Sequence, residues 1–354
     1  MTPLPVVLVG AGGRARLHSR VIAAAFGDRI SIVGVVGRSD HRAREFAAHL
    51  GVPHSLTLQD AVPWGARAAV VSVTCHENHV AAGQALDLGL PLLLETPLAM
   101  TEADAAALAD RIDRSGLPVE VAEQNPRFPD VRFWTRVAEE GFLGPLRLVA
   151  SDGAGYRYHA AAVARALLGR PRANRASGMR VLTGTDLGRG VAREPLLAGT
   201  VLTAGGALFQ LRDGEGHHLG DDAPWLGGGW RVLGDGGSIA SPHHVRRWSS
   251  AGAVDVPVER VSHRIEGVEV TAALRLHGEI LLEVPTVAPD APLDDDGQAV
   301  AHCVQDWLAR MDGKPSSTGW SVADALEDLR WVGAMERSAL LGGAPIALGD
   351  PIGD

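Results

Sequence analysis

The feature that most constrains this chain is a rhythm in its first third: a short apolar run, a turn, a helical segment, and the same again. Residues 5–10 read Pro-Val-Val-Leu-Val-Gly. Uninterrupted apolar runs of this length suit strands of a parallel sheet buried on both faces. The run ends at Gly10-Ala11-Gly12-Gly13-Arg14-Ala15, and a helix is predicted over 14–26. A second β-branched strand is predicted at 30–36 and a second helix at 41–50, stopped by Gly51 and Pro53. Strands at 68–73, 91–95 and 118–121 alternate with helices at 78–88 and 101–115. Thr101 is placed as an N-cap, with Glu102 and Asp104 in the first turn. Strand–helix alternation at this spacing predicts a parallel sheet with right-handed crossovers.

The glycine cluster carries the first chemistry. Gly-x-Gly-x-x-Ala, directly between a strand and a helix, is a dinucleotide-binding pattern. Gly10 permits the tight turn, Gly12 lets a pyrophosphate approach the backbone, and Ala15 permits close helix packing. The helix N-terminus then faces the phosphates, with Gly13 and Arg14 in the same loop. The end of the second strand bears on the cofactor, because NAD-preferring sites put an acidic residue there against the ribose 2′-hydroxyl. This strand ends Val36-Gly37-Arg38-Ser39-Asp40. A guanidinium and a hydroxyl suit a 2′-phosphate, so NADP(H) is expected over NAD(H). Asp40 falls late and is read as capping the helix at His41. The competing reading of Arg38 is a solvated surface arginine.

Composition narrows the class. A chain of 354 residues is about twice the usual domain size, so two domains are expected. Hydrophobic residues at 46% and charged residues at 21% exclude global disorder. A net charge of −9 argues against a nucleic-acid partner. Two cysteines, Cys75 and Cys303, make no disulfide framework and fit a reducing cytoplasm. The N-terminus lacks the basic start of a signal peptide, and no apolar run reaches the ~18 residues of a membrane span. Among 33 basic residues Lys314 is the single lysine, so any mechanism that needs a lysine has one candidate.

Several segments in order resemble the Gfo/Idh/MocA oxidoreductases, the glucose–fructose oxidoreductase and inositol dehydrogenase family. Residues 7–22 are similar to its opening strand–turn–helix. Residues 70–100, with Thr74, His79 and the strand end Glu95-Thr96-Pro97, look like its histidine-bearing segment. Residues 121–130 resemble its crossover into the second domain, and 144–152 that domain's first strand. Tyr158-His159 and the helix after them resemble its catalytic-histidine helix, and 325–348 its closing helix. The resemblance implies an N-terminal Rossmann domain over 1–125. It implies a substrate-binding and oligomerisation α/β domain over 126–354, with a large open, mostly antiparallel sheet. It also implies a homo-oligomer, dimer or tetramer, formed through that sheet. Thr74, His79, Glu95 and Thr96 join the expected cofactor residues, and Thr96, Arg127 and Arg157 the expected substrate contacts.

Two departures bear on mechanism. The family's Glu-Lys-Pro is Glu95-Thr96-Pro97 here, and Thr96 is neutral and short. The family's aspartate one turn before the histidine is replaced by Gly155. Of the inherited catalytic set His159 remains. It lies in Tyr156-Arg157-Tyr158-His159, which holds both tyrosines of the chain, so His159, Tyr156 and Tyr158 are the candidate proton-transfer groups. The alternative is a helix start whose side chains cap and pack.

The second half is less regular. A helix is predicted at 132–140 and a strand at 146–150. The arginine-rich residues 170–195 read as a connecting stretch. Strands are predicted at 196–203, 207–212, 231–233, 268–276 and 279–284, the last two flanking a His277-Gly278 hairpin signal. Helices at 297–311 and 322–341 are expected to cover one face of the sheet. His217-His218 with Asp221-Asp222, and His243-His244, lack metal-ligand spacing, so no metal is expected. His76, His79 and Cys75 follow a strand's carboxyl end, without an expected catalytic role. The leading function is an NADPH-dependent oxidoreductase acting on a small polar carbonyl or imine of the sugar, amino sugar or cyclitol class. A non-catalytic dinucleotide-binding regulator and a redox-neutral enzyme with retained cofactor stand as alternatives.

Overall fold

The computed structural model describes residues 2–153, 156–183, 194–214, 229–277, 282–316 and 318–349. The apolar runs of the first third form β1 (Leu4–Val9), β2 (Ile30–Val36), β3 (His54–Ser55), β4 (Ala68–Val71), β5 (Leu92–Leu94) and β6 (Val119–Val121). They pair in parallel in the order β3-β2-β1-β4-β5-β6. The crossovers carry α1 (Gly13–Ala25), α2 (Asp40–Leu50), α3 (Asn78–Asp87) and α4 (Glu102–Ser115). This is the doubly wound arrangement, and strand order reverses between β1 and β4. Local chemistry fixes the helix ends. Thr101 Oγ1 accepts from the Asp104 amide at 3.1 Å, and Gly51 and Gly116 close α2 and α4 in the left-handed conformation. The cap of α2 differs from expectation. Ser39 is the N-cap of α2 and Asp40 is its first residue. The Asp40 carboxylate turns to Arg44 and His54 instead of capping.

The rest of the chain supplies α5 (Pro129–Glu139), β7 (Leu146–Asp152), α6 (Arg157–Leu167), β8 (Ala173–Thr183), β9 (Glu194–Thr203), β10 (Leu208–Gly214), β11 (Gly229–Gly234), β12 (Gly237–Ser241), β13 (His244–Ser249), β14 (Gly252–Ile265), β15 (Val268–Leu276), β16 (Leu282–Pro285), α7 (Asp295–Met311), α8 (Val322–Leu340) and β17 (Ile346–Ala347). Among the described residues eleven strands form one mixed sheet, ordered β16-β15-β14-β13-β12-β11-β7-β10-β9-β8-β17. β7 and β10 run parallel, and the other pairs whose register is described run antiparallel. The chain divides into two compact units. The first holds residues 1–129, 262–273 and 285–326; the second holds 130–261, 274–284 and 327–354.

Three expectations are corrected. The arginine-rich stretch holds β8, eleven residues long and paired along β9. Its inward positions include Ala176 and Gly178, and a Cβ on Gly178 would lie 2.1 Å from the Met335 carbonyl oxygen of α8. Small residues are what the helix backbone allows there, so no apolar alternation marks the strand. β12, β13 and β14 were not anticipated. β14 is exposed along most of its fourteen residues, so backbone pairing holds it and a hydrophobicity pattern could not reveal it. Third, α7 builds a core within the first unit. Its Val300, Val304 and Trp307 share a core with Val6 and Leu8 of β1, Ile22 of α1 and Phe46 of α2. α8 covers the mixed sheet: Trp331 lies against Phe209, ring centroids 6.0 Å apart. The hairpin signal at Gly278 lies outside the described residues, as do Gly155, His217, His218, Asp221 and Asp222.

Candidate functional site

Gly10 leaves β1 at φ +126°, and a Cβ there would stand 2.2 Å from the Ser72 carbonyl oxygen. Only glycine fits that turn. Gly12 is the N-cap of α1; no side chain caps this helix and its first turn holds no acidic residue. A Cβ on Gly12 or Gly13 would meet nothing within 4 Å. These two glycines therefore clear space above the helix start rather than relieve an internal clash. Open space over uncapped N–H groups at the carboxyl end of β1 fits a pyrophosphate. Ala15 is fully buried, as close packing of α1 requires.

Beside this loop stands a buried carboxylate. Glu95 follows β5, and its Oε1 accepts from Arg14 Nε at 2.9 Å and lies 2.8 Å from His18 Nε2. Arg14 Nη2 also reaches Glu95 Oε1 at 2.8 Å and donates to Gln124 Oε1. Burial alone would raise the Glu95 carboxyl pKa. The bond with His18 and the charge of Arg14 override it and bring the pKa down to about 2. For Arg14 burial works against the charge, and Glu95 more than restores it, so its pKa is raised. The Thr96 amide donates to Glu95 Oε2 at 3.2 Å. Asn78 Nδ2 donates to the carbonyls of Glu95 and Pro97, at 2.5 and 2.8 Å. Thr96, half-buried, is thus held from both sides by backbone clamps. His79 is half-buried at the start of α3, with Nδ1 lacking a partner among the described residues, and Thr74 is exposed.

At the end of β2 Arg38 is 80% exposed, with Glu77 3.6 Å away. Ser39 at the α2 N-cap makes no side-chain capping bond. A solvated guanidinium and an uncommitted hydroxyl therefore stand side by side where Rossmann sites contact the ribose of adenosine.

The second unit holds the aromatic–histidine cluster. Tyr156 is the N-cap of α6, with Arg157, Tyr158 and His159 in its first turn. The Tyr158 and His159 rings are 4.3 Å apart by centroid, and Tyr156 stacks on Tyr158 at 5.7 Å. Arg157 Nε donates to Asp213 Oδ2 at 2.7 Å, and Nη1 donates to Glu336. Burial disfavours its charge, yet the two carboxylates raise its pKa. The guanidinium expected to contact substrate is thus partly committed to β10 and α8.

Arg127 departs further from expectation. It is 2% exposed inside the first unit. Its Nη2 donates to Glu120 at 2.5 Å, its Nε to Asp306 at 2.9 Å, and its Nη1 to the carbonyls of Glu123 and Val121 at 2.8 and 3.3 Å. The guanidinium ties β6 to α7 and faces protein, not solvent. The lone lysine, Lys314, is exposed and bonds to Asp312 at 3.1 Å. The sequence reading missed His18, Asn78 and Gln124. His18 was findable: it stands four residues after Arg14 on α1, so both side chains share one helix face. Asn78 and Gln124 carry no comparable signal.

Among the described residues no group of three or more His, Cys, Asp or Glu side chains could hold a metal ion. No described helix is long and apolar enough to cross a membrane.

Comparisons with known proteins agree with this geometry. Residues 4–123 match the family model of the Gfo/Idh/MocA oxidoreductases, described as an oxidoreductase family with an NAD-binding Rossmann fold. Solved structures match over nearly the whole chain. GenD2 from gentamicin A biosynthesis, in complex with NAD, is 19% identical at a TM-score of 0.70, covering 99% of this chain and 97% of its own. An Agrobacterium radiobacter oxidoreductase in complex with NAD+, L-tartaric acid and magnesium is 17% identical at 0.74, covering 98% and 99%. Myo-inositol 2-dehydrogenase from Lactobacillus plantarum is 14% identical at 0.69, covering 98% and 100%. At these identities the likeness is one of fold. No curated protein sequence matches the chain. The glycine loop, the strand order and the matched model all lie in the first 123 residues, and that part of the chain is an NAD-binding Rossmann domain of the Gfo/Idh/MocA oxidoreductase type.

Proposed function

We propose that the chain is an NADPH-preferring oxidoreductase that transfers hydride to or from a small polar carbonyl or imine of the sugar, amino sugar or cyclitol class. The single observation that carries the cofactor reading is the exposed pair Arg38 and Ser39 at the end of β2, with Glu77 3.6 Å from the Arg38 guanidinium and the next acidic residue of the turn, Asp40, bound to Arg44 and His54. GenD2 and the Agrobacterium protein are described with NAD, so the preference for a 2′-phosphate rests on these two side chains. The substrate class is supported by the resemblance and by the neighbours' own descriptions, a protein of gentamicin A biosynthesis and a myo-inositol 2-dehydrogenase.

A bound nicotinamide dinucleotide supplies the hydride chemistry. The protein's share is binding, orientation and the proton. The uncapped start of α1 and the space over Gly12 and Gly13 hold the pyrophosphate, and Thr96, clamped through Asn78 and Glu95, orients the reacting end. His159, packed on Tyr158, moves the proton. The proposal includes a cytoplasmic location, supported by the unpaired Cys75 and Cys303, and a homo-oligomer formed through the mixed sheet. In the second unit α8 covers one face of that sheet, while Met179 on the other is 58% exposed.

Titrating NADPH and NADH against wild type and Arg38→Ala, followed by nicotinamide fluorescence, tests the reading. Charge-assisted bonds contribute roughly 1.5–3 kcal/mol, so the substitution weakens NADPH on the order of 10–100-fold and leaves NADH nearly unchanged. Tighter binding of NADH by the wild type refutes the preference.

A further inference from the structure

We propose that Arg14 sets which redox state of the dinucleotide this site prefers: its guanidinium, pinned to Glu95 beside Thr96, disfavours the positively charged oxidised nicotinamide and favours the neutral reduced ring. The inference rests on the cofactor reading above. Strand order places the two ends of the dinucleotide. The adenosine end lies over β2, where Arg38 and Ser39 stand, and the other end lies across β1 toward β4 and β5, whose carboxyl ends carry Thr74, Glu95 and Thr96. Arg14 emerges from the glycine loop at β1 and reaches the β5 end, with Nε and Nη2 on Glu95 Oε1 at 2.9 and 2.8 Å. Its side chain remains 35% exposed, so the charge is fixed in place without being sealed off.

The charges around it are few. Glu95 is negative. Asp296 Oδ1 stands 3.7 Å from Arg14 Nη1, and its pKa is raised, burial first and the charge of Arg14 opposing. Gln124 is neutral, and so is Thr96. Removing Arg14 leaves Glu95 and Asp296 without their shared cation. The local potential then swings negative, and a positively charged ring gains relative to a neutral one. A unit charge one side chain away, partly screened, changes that balance on the order of 10-fold. The same logic makes the fixed cation a device for a reductase, because it binds the hydride donor in preference to the spent form.

The test needs no substrate. Dissociation constants for NADPH and NADP+ are measured on wild type, Arg14→Met, Arg14→Gln and Arg14→Lys, each checked by thermal unfolding. Arg14→Gln keeps a donor to Glu95 without the charge, which covers the case in which Arg14→Met fails to fold. The expected result is a ratio of NADP+ to NADPH dissociation constants that falls about 10-fold in the uncharged variants and holds within about 2-fold in Arg14→Lys. A folded, uncharged variant with the wild-type ratio overturns the inference and leaves Arg14 a structural partner of Glu95. Wild-type protein that binds neither dinucleotide overturns the cofactor reading itself, and this inference with it.

Discussion

Replacing Arg127 with methionine separates a structural role from the substrate role its sequence position suggested. The substitution keeps most of the apolar stem and deletes the cation between Glu120 and Asp306, both buried. Removing one partner of a buried ion pair typically costs 3–5 kcal/mol, because the remaining charge is left uncompensated. Here the loss falls at the lower end. Glu120 still accepts from Arg310 Nε at 2.8 Å and from the Trp320 amide at 2.6 Å. Asp306 still accepts from Ser316 and Thr318, at 2.5 and 2.9 Å. About 3 kcal/mol, at about 2–4 °C per kcal/mol for a domain of this size, lowers the first unit's melting temperature by roughly 6–12 °C. Calorimetry on wild type and variant reads this directly, with an NADPH titration below the transition to show that the folded variant still binds. A melting temperature within about 2 °C of wild type would refute the argument, since no buried charge would then depend on Arg127.

Three further outcomes are expected. Glu95 is held at a pKa of about 2, below its ordinary 4.5, so its contribution to stability is complete above about pH 4.5 and fades as pH falls toward 2; Glu95→Gln should flatten acid unfolding across that window, and an unchanged acid profile in urea melts would count against the Arg14–Glu95–His18 cluster. Gly10→Ala should lose on the order of 3 kcal/mol through its backbone clash, whereas Gly12→Ala should fold normally yet bind NADPH at least about 10-fold more weakly; equal melting temperatures for the two would contradict the geometry of the loop. His159→Ala should lower hydride-transfer turnover by about 100- to 10,000-fold while NADPH affinity stays within a few-fold, and a folded variant turning over at the wild-type rate moves the proton to a tyrosine or to water.

How much of this was readable beforehand varies with the physics. The Rossmann strands were legible because burial on both faces writes itself as Val-Val-Leu-Val and its repeats, and β2 begins and ends where the sequence puts it. The glycine loop was legible because backbone conformation demands glycine at Gly10. β14 was not, since its side chains face solvent and its stability lies in hydrogen bonds that any residue makes. Arg127 was misplaced for a related reason: an arginine in a crossover looks the same whether its partners are a substrate or two carboxylates, one of them 179 residues away at Asp306. Glu95 was found through its motif, while its companion Asn78 was not, because an amide bonding to two backbone carbonyls leaves no pattern in the chain.

The placement of α7 bears on how this protein must be made. Its Val300, Val304 and Trp307 complete the core that β1, α1 and α2 begin, and Asp306 completes the ion cluster of Glu120 and Arg127. A ribosome delivers the opening strand first and this closing helix close to three hundred residues later. The nucleotide-binding half therefore waits, with the apolar flank of α1 bare, until nearly all of the other half has been translated. Contacts so distant along the chain slow folding and lengthen the interval in which sticky surface is open to chaperones. A gene fragment cut after residue 125 encodes a sheet without its lid, and the boundary that looks natural on paper is a poor place to divide this molecule.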